Sequence, residues 1–247
     1  MRICRYGVAL FALLCLSNNK IAAQVGEHRN DLSIGVNGGY TLNKVSFNPT
    51  VKQGFHGGPT FGVTARYICE KYFKMLCGVQ MEINYSQLGW KEEFEEGDDR
   101  TYSRNVGYVQ IPLLAHLGFG RERGGAKGFL VLGPQVGIFL NENDKKTGDW
   151  SSEEALYEQS LTQQGSTQNI RIMQHWLSTE KKFEYGLTGG LGLELSTKSG
   201  HRFMLEGRYY FALSDIFHNT KQDPFGRSAN GTIVAKVSYL LDVLKTK

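Results

Sequence analysis

Glu184-Tyr185-Gly186-Leu187-Thr188-Gly189-Gly190-Leu191-Gly192-Leu193-Glu194-Leu195 alternates with a period of two. Tyr185, Leu187, Leu191, Leu193 and Leu195 fall on one side of an extended chain, and Glu184, Gly186, Thr188, Gly190, Gly192 and Glu194 fall on the other. Successive side chains of a strand point to opposite faces, so this stretch predicts a β-strand with one apolar face and one small or polar face.

Seven further stretches repeat the pattern. Leu32, Ile34, Val36, Tyr40 and Leu42 oppose Ser33, Gly35, Asn37, Gly39, Thr41 and Asn43. Phe61, Val63, Ala65 and Tyr67 oppose Thr60, Gly62, Thr64 and Arg66, and Val79, Met81, Ile83 and Tyr85 oppose Gln80, Glu82, Asn84 and Ser86. In the fourth, Val109, Ile111, Leu113, Ala115, Leu117 and Phe119 oppose Gln110, Pro112, His116 and Gly118, with Leu114 breaking the pattern. Leu130, Leu132, Val136 and Ile138 oppose Gly133, Gln135 and Gly137. Towards the end, Phe203, Leu205, Tyr209, Phe211 and Leu213 oppose Glu206, Arg208, Tyr210 and Ser214, and Ile233, Ala235, Val237 and Tyr239 oppose Thr232, Lys236 and Ser238.

The connections separate one barrel architecture from another. Short links at Glu70 to Lys74, Gly120 to Lys127 and Lys198-Ser199-Gly200 alternate with long polar ones at 44–57, 91–101, 141–182 and 216–228. This predicts an all-β fold, an eight-stranded antiparallel transmembrane β-barrel with short periplasmic turns, long extracellular loops and both termini in the periplasm. A soluble lipocalin-like barrel also alternates, but it turns its apolar side chains inward and its polar ones to water. Here the apolar face is almost unbroken and rich in aromatics, while the other carries glycines and single charges. That sidedness suits lipid outside.

At the amino terminus, Met1-Arg2 and Arg5 precede the apolar run Tyr6 to Leu16, and Ile21-Ala22-Ala23-Gln24 follows, which reads as a secretory signal peptide over 1–23 cleaved after Ala23. The barrel domain then covers 24–247. Beyond residue 24 nothing approaches the ~18 consecutive apolar residues that a spanning helix needs, which excludes a helical membrane protein. The 30 glycines, 12 tyrosines and 14 phenylalanines suit one all-β domain, and a net charge of +4 gives no case for a nucleic-acid partner. Cys4 and Cys15 leave with the signal. A hairpin centred on Phe73 would set Cys69 against Cys77, in register with Tyr67 opposite Val79 and Ala65 opposite Met81, and so predicts a stapling disulfide.

The inward charges Arg66, Glu82, Glu184, Glu194, Glu206, Arg208 and Lys236, with His116 and Tyr210 among them, are the most informative constellation. Charge inside a narrow barrel is costly unless paired, so mixed signs predict a salt-bridged structural plug in preference to a transport pathway. Eight strands enclose little more than their own side chains. Catalysis would require Ser, His and a carboxylate together near the outer rim, whereas His116 is assigned near the periplasmic end and His175 and His218 to different outer loops, with no nucleophile motif beside them. The cluster Glu92, Glu93, Glu95, Glu96, Asp98 and Asp99 reads as a solvated acidic loop, without EF-hand spacing, so no metal ligand or cofactor is assigned. Phe47, Tyr85 and Trp90 on the outer side, and Tyr72 and Phe73 on the periplasmic side, are expected to form interfacial girdles. Ser151 to Tyr157 has a helix-start pattern.

Several stretches resemble the PorT family of outer-membrane β-barrel proteins of Bacteroidetes. They are Ile34-Gly35-Val36-Asn37-Gly38-Gly39-Tyr40, Tyr108-Val109-Gln110-Ile111-Pro112-Leu113-Leu114-Ala115, Val131-Leu132-Gly133-Pro134-Gln135-Val136-Gly137, Leu205-Glu206-Gly207-Arg208-Tyr209-Tyr210 and Leu213-Ser214-Asp215-Ile216. The stretch after Tyr239-Leu240-Leu241 departs from the usual outer-membrane pattern of a final aromatic. The resemblance implies an eight-stranded outer-membrane barrel, and through the founding member an association with type IX protein secretion. Taken together, these features predict a non-catalytic binding or assembly component whose loops, 141–182 above all, meet an unidentified protein partner while outer-membrane lipid surrounds the barrel. A lipid- or peptide-directed enzyme and a narrow solute channel are the alternatives.

Overall fold

The computed structural model describes residues 26–120, 124–162, 172–220 and 223–246. The segment expected to be a signal peptide, with Cys4 and Cys15, lies outside them. The elements are β1 (Glu27–Asn48), β2 (Gln53–Gly54), β3 (His56–Tyr72), β4 (Met75–Glu92), β5 (Thr101–Gly120), β6 (Gly125–Thr147), α1 (Ser151–Thr162), β7 (Phe183–Ser196), β8 (His201–Ala212) and β9 (Arg227–Leu244). Each long strand pairs antiparallel with its neighbour, and the β1–β9 and β4–β5 ladders complete the ring. β2 only lays Gln53 and Gly54 against Glu92 and Lys91. The result is the expected eight-stranded barrel, a closed ring in which each long strand has a partner on both sides.

Sidedness follows the alternation. Leu132 and Leu191 are 65% and 66% exposed on the outside, whereas Arg66 and Glu194 are 0% exposed in the lumen. A soluble barrel would invert that arrangement; an apolar belt around a charged interior is stable only in a hydrocarbon solvent.

Strands β1 and β6 have 22 and 23 residues, although about 9–11 suffice to cross a bilayer. The excess stands at the long-loop end, where Thr101 to Val106 pair with Thr147 to Glu142. Loops expected at 91–101 and 141–182 are correspondingly shorter. Backbone hydrogen bonds continue a ladder after the apolar alternation ends, because they do not depend on side chains. Both chain ends of the barrel lie at the opposite, short-turn rim: Glu27 pairs with Lys71, and Leu244 pairs with Leu32.

The expected Cys69–Cys77 disulfide is corrected. Tyr67 does stand opposite Val79 and Ala65 opposite Met81, but the register shifts after Ile68, so Glu70 faces Cys77. The turn closes through a Tyr72–Met75 pair, which centres it between Phe73 and Lys74, half a residue away from the centre that the upper pairs share. Cys69 is the extra residue that absorbs this mismatch in a β-bulge. Both cysteines are free, and Cys69 Sγ donates a hydrogen bond to the Cys77 carbonyl at 3.3 Å.

The aromatic girdle also needs correction at two positions. Phe47 and Trp90 are inside the barrel, 6% and 0% exposed, where their rings meet edge to face at 5.4 Å. Phe47 continues the inward series of Thr41, Asn43 and Val45, so parity outweighs the general preference of aromatics for the interface.

Candidate functional site

The lumen is filled by stacked polar networks. Nearest the short-turn end, Glu194 of β7 accepts hydrogen bonds from Arg66 Nη1 on β3 at 2.5 Å and from Arg202 Nη1 on β8 at 2.8 Å, with Lys127 Nζ on β6 at 3.1 Å. Arg202 also grips Asp242 of β9 through two parallel bonds, Nε to Oδ1 at 2.5 Å and Nη2 to Oδ2 at 2.9 Å. Such planar bidentate pairing suits guanidinium better than ammonium. Beside this network lies a small apolar cluster of Leu114, Phe129, Val131, Met204 and Leu240, so the residue that broke the alternation of the fourth strand is part of the interior packing.

At the next level Glu82 of β4 accepts from Arg208 Nη2 at 2.6 Å, from Gln80 Nε2 at 2.7 Å and from Asn84 Nδ2 at 2.8 Å, and Lys236 Nζ completes its coordination. Arg208 holds Glu206 as well, with Nη2 2.8 Å from Oε2. His116 lies 3.1 Å from Gln80 Oε1 and stacks on Phe129 at 4.9 Å. Five cations (Arg66, Lys127, Arg202, Arg208 and Lys236) thus interlock with four carboxylates (Glu82, Glu194, Glu206 and Asp242). Buried charge survives here because every ion has an opposite partner, and Glu82, Glu194, Arg202 and Arg208 each have at least two.

Glu184 differs. Its carboxylate accepts from Asn230 Nδ2 at 2.7 Å, and Asn230 accepts from Asn43 Nδ2 at 2.8 Å. Glu184 Oε1 and the Tyr210 hydroxyl are both buried and interact with each other.

The long-loop end is closed by a cap. Val45, Phe47, Val51, Leu88, Trp90, Tyr102, Val106, Tyr108, Ile216, Phe217 and Phe225 form one buried cluster, with Phe94, Phe139, Trp150, Met173 and Leu177 packed against it. It draws side chains from all four long connections. Trp90 Nε1 donates to Gln174 Oε1 at 2.7 Å, and the Tyr102 hydroxyl donates to the Gln174 carbonyl at 3.2 Å. His175 sits between two carboxylates, Nε2 2.5 Å from Glu92 and Nδ1 3.2 Å from Glu153 of α1, with the Tyr102 and Trp150 rings at 4.5 and 4.8 Å. Burial disfavours a charged imidazole, but the hydrogen bonds and charges of Glu153 and Glu92 outweigh it and hold the His175 pKa above its ordinary value. Arg100 ties Glu153 to Asp98 through contacts of 2.5 Å on each side.

All eight residues expected in the lumen, Arg66, Glu82, His116, Glu184, Glu194, Glu206, Arg208 and Lys236, are buried there. Sequence reading missed Lys127, Arg202 and Asp242, which sit at strand ends adjoining turns; each lies an even number of residues from an inward position of its own strand, Lys127 from Gln135, Arg202 from Glu206 and Asp242 from Lys236, and that phase carried the signal. His116, His175 and His218 are not brought together. His175 is enclosed in the cap, and His218 is exposed 3.9 Å from Glu180. The acidic cluster is divided, since Glu92 faces His175 while Asp98 pairs with Arg100. No group of three or more potential metal ligands occurs among the described residues.

Solved outer-membrane structures are similar at low identity. OprG from Pseudomonas aeruginosa shares 13% identity over 88% of this chain and 95% of its own, with a TM-score of 0.47. Ail, the attachment invasion locus protein of Yersinia pestis, shares 15% over 87% and 99%, with a TM-score of 0.34. The outer membrane enzyme PagL shares 13% over 84% and 99%, with a TM-score of 0.38. No curated protein matches the chain. The family model for the outer membrane protein beta-barrel domain matches residues 22–218, and this chain, an outer-membrane β-barrel protein, belongs to that family.

Proposed function

We propose that the protein is a non-catalytic binding or assembly component that presents its capped end to a protein partner at the cell surface. The observation that carries this reading is the cap itself, a single apolar core built from all four long connections and cross-linked through Gln174, His175 and Glu153. Recognition surfaces are commonly loops held on a rigid scaffold. Below the cap, the interlocked charges occupy the lumen, which favours a scaffold over a solute path. His175 has carboxylates on both ring nitrogens and aromatic rings around it, a setting that fixes a loop and leaves no nucleophile for the imidazole to activate.

The alternation of short turns with long connections supports an orientation with the cap outward and both termini periplasmic, after removal of a signal peptide. The PorT-like strand motifs support a link to protein secretion by analogy of fold, which is weaker than a site-based argument.

The test is cross-linking and purification from native outer membranes, comparing the wild type with a variant in which residues 153–176 are replaced by a short glycine-serine linker. A partner captured by the wild type and lost from the shortened but folded barrel is the expected result. The same set of proteins with both, or none with either, overturns the proposal. Planar-bilayer recordings on the same two preparations address the channel alternative, with no conductance expected from the wild type.

A further inference from the structure

A hollow in the outer wall, just at the long-loop rim, is built across β1, β8 and β9. Lys44, Gly231 and Phe211 form one lateral row, since Lys44 pairs with Gly231 and Gly231 pairs with Phe211. All three positions face outward. Gly231 therefore leaves a gap between a cation and a ring, with Ser46 and Ala229, also small, in the next row. Beneath lie Ile233 and Tyr209, 43% and 52% exposed, continuing the apolar belt. Phe55, from the β1–β3 connection, forms the far wall, with Lys44 Nζ 4.4 Å above its ring. The hollow measures about 460 Å³.

Lys44 lines it, and a second cation, Arg227, lines the adjoining hollow on the far side of Ala229. Arg227 lies on β9 four residues from Gly231, about 13 Å along the strand, and leans over Phe211 at 5.4 Å. Among the described residues, neither Lys44 nor Arg227 has a carboxylate partner, in contrast to the interlocked cations of the lumen. Asp215, which lines the adjoining hollow, already accepts the Ser228 amide at 2.7 Å and the Asn219 side chain at 2.9 Å.

The geometry points to a binding site for a bis-phosphorylated glycolipid of the outer leaflet, one acyl chain lying over Tyr209 and Ile233 and its two phosphates meeting Lys44 and Arg227. An apolar hollow continuous with the belt accepts hydrocarbon, and unpaired cations at its upper edge prefer phosphate. The spacing of the cations selects a headgroup with two separated anionic groups over one with a single phosphate. The site needs only that the barrel stands in the outer membrane, and it does not rest on the protein partner proposed above.

The test uses the purified barrel in detergent and native mass spectrometry, with bis-phosphorylated lipid A, monophosphoryl lipid A and phosphatidylglycerol as separate arms. Folding is checked by heat-modifiable gel migration. Bis-phosphorylated lipid A is expected to be retained preferentially, and its apparent affinity to fall by about tenfold in a Lys44→Gln/Arg227→Gln variant. Gly231→Leu fills the hollow without altering charge; the nearest atoms to its Cβ would be the Tyr209 hydroxyl at 3.0 Å, the Lys44 carbonyl oxygen at 3.7 Å and Tyr209 Cζ at 3.8 Å. It is expected to weaken retention as well. Equal retention by wild type and both variants indicates annular lipid only and overturns the proposal, as does equal retention of all three lipids by the wild type.

Discussion

Arg66 on β3 and Glu194 on β7 meet across the lumen at 2.5 Å, with both side chains wholly buried. They are 128 residues apart in sequence, so the contact joins opposite walls of the barrel. Glu194 is also the one carboxylate facing Lys127 and shares Arg202 with Asp242. Removing its charge leaves buried cations without compensation, a change that costs about 3–5 kcal/mol. Glu206→Gln is milder, because Arg208 keeps Glu82, and should cost about 1.5–3 kcal/mol, the range for a hydrogen bond to a charged group. Reversible urea unfolding in lipid vesicles is expected to rank Glu194→Gln below Glu206→Gln. The reverse order would show that the cations around Glu194 rearrange to other partners.

The slip of register at Cys69 predicts free thiols at Cys69 and Cys77, which are the two cysteines of a chain prepared from Gln24 onward. Alkylation in denaturant without reductant should add two adducts to the intact mass, whereas a product two hydrogens lighter that takes up none would contradict the bulge. Cys69→Ser should be well tolerated, since the only bond at stake is a weak sulfur donor to the Cys77 carbonyl.

Gly89 adopts φ +139° within β4, and a Cβ there would stand 1.8 Å from the Arg104 carbonyl oxygen. Its own carbonyl accepts from Asn43 Nδ2 at 2.7 Å, so the local backbone helps hold the polar network of the lumen. Gly97, at φ +94°, faces open space. Both positions disfavour a side chain, by about 1–2 kcal/mol for the backbone conformation alone, but only Gly89→Ala adds a collision with backbone. Gly89→Ala is expected to reduce the folded fraction on outer-membrane gels and Gly97→Ala to leave it nearly intact. Equal effects would mean that the steric contribution at Gly89 is negligible.

How much of this was legible before the structure follows from what period two encodes. Alternation states which side of the wall a residue occupies, and it placed Arg66, Glu82 and Lys236 in the lumen. It says nothing about height along the axis or azimuth around it, so the partnership of Glu82 with Arg208 and Lys236, 126 and 154 residues away, could not be read. Lys127, Arg202 and Asp242 lie near strand ends, where turn-like residues begin and hydrophobic alternation no longer marks the strand. Phe47 and Trp90 show a different limit: aromatic character favours the interface, but phase sets the side, and each lies an even number of residues from an inward neighbour. The cap was not legible, because Gln174, His175 and Glu153 meet through loop geometry that has no period.

The His175 bridge makes the cap responsive to pH, and the sign follows from the two directions of shift. Folding raises the pKa of His175, so its contribution is complete below the unfolded imidazole value of about 6.5 and fades as pH climbs through the higher folded value. Burial opposes ionisation of Glu153, but the bonds and charges of His175 and Arg100 more than reverse this and lower its pKa. Its contribution is therefore present above the ordinary carboxylate value of about 4.3 and is lost as pH falls through the folded one. The cap should accordingly be tightest in mildly acidic solution and loosen as the pH rises through the folded His175 value. Trp150 and Trp176 lie 4.8 and 5.5 Å from the imidazole, so tryptophan emission reports the change. A transition on raising the pH above the ordinary imidazole range is expected in the wild type and absent in His175→Gln, which keeps a polar side chain but cannot become a cation. Persistence of the same transition in His175→Gln would assign it to another group, with Lys146, 4.4 Å above the Trp176 ring, the first to substitute next.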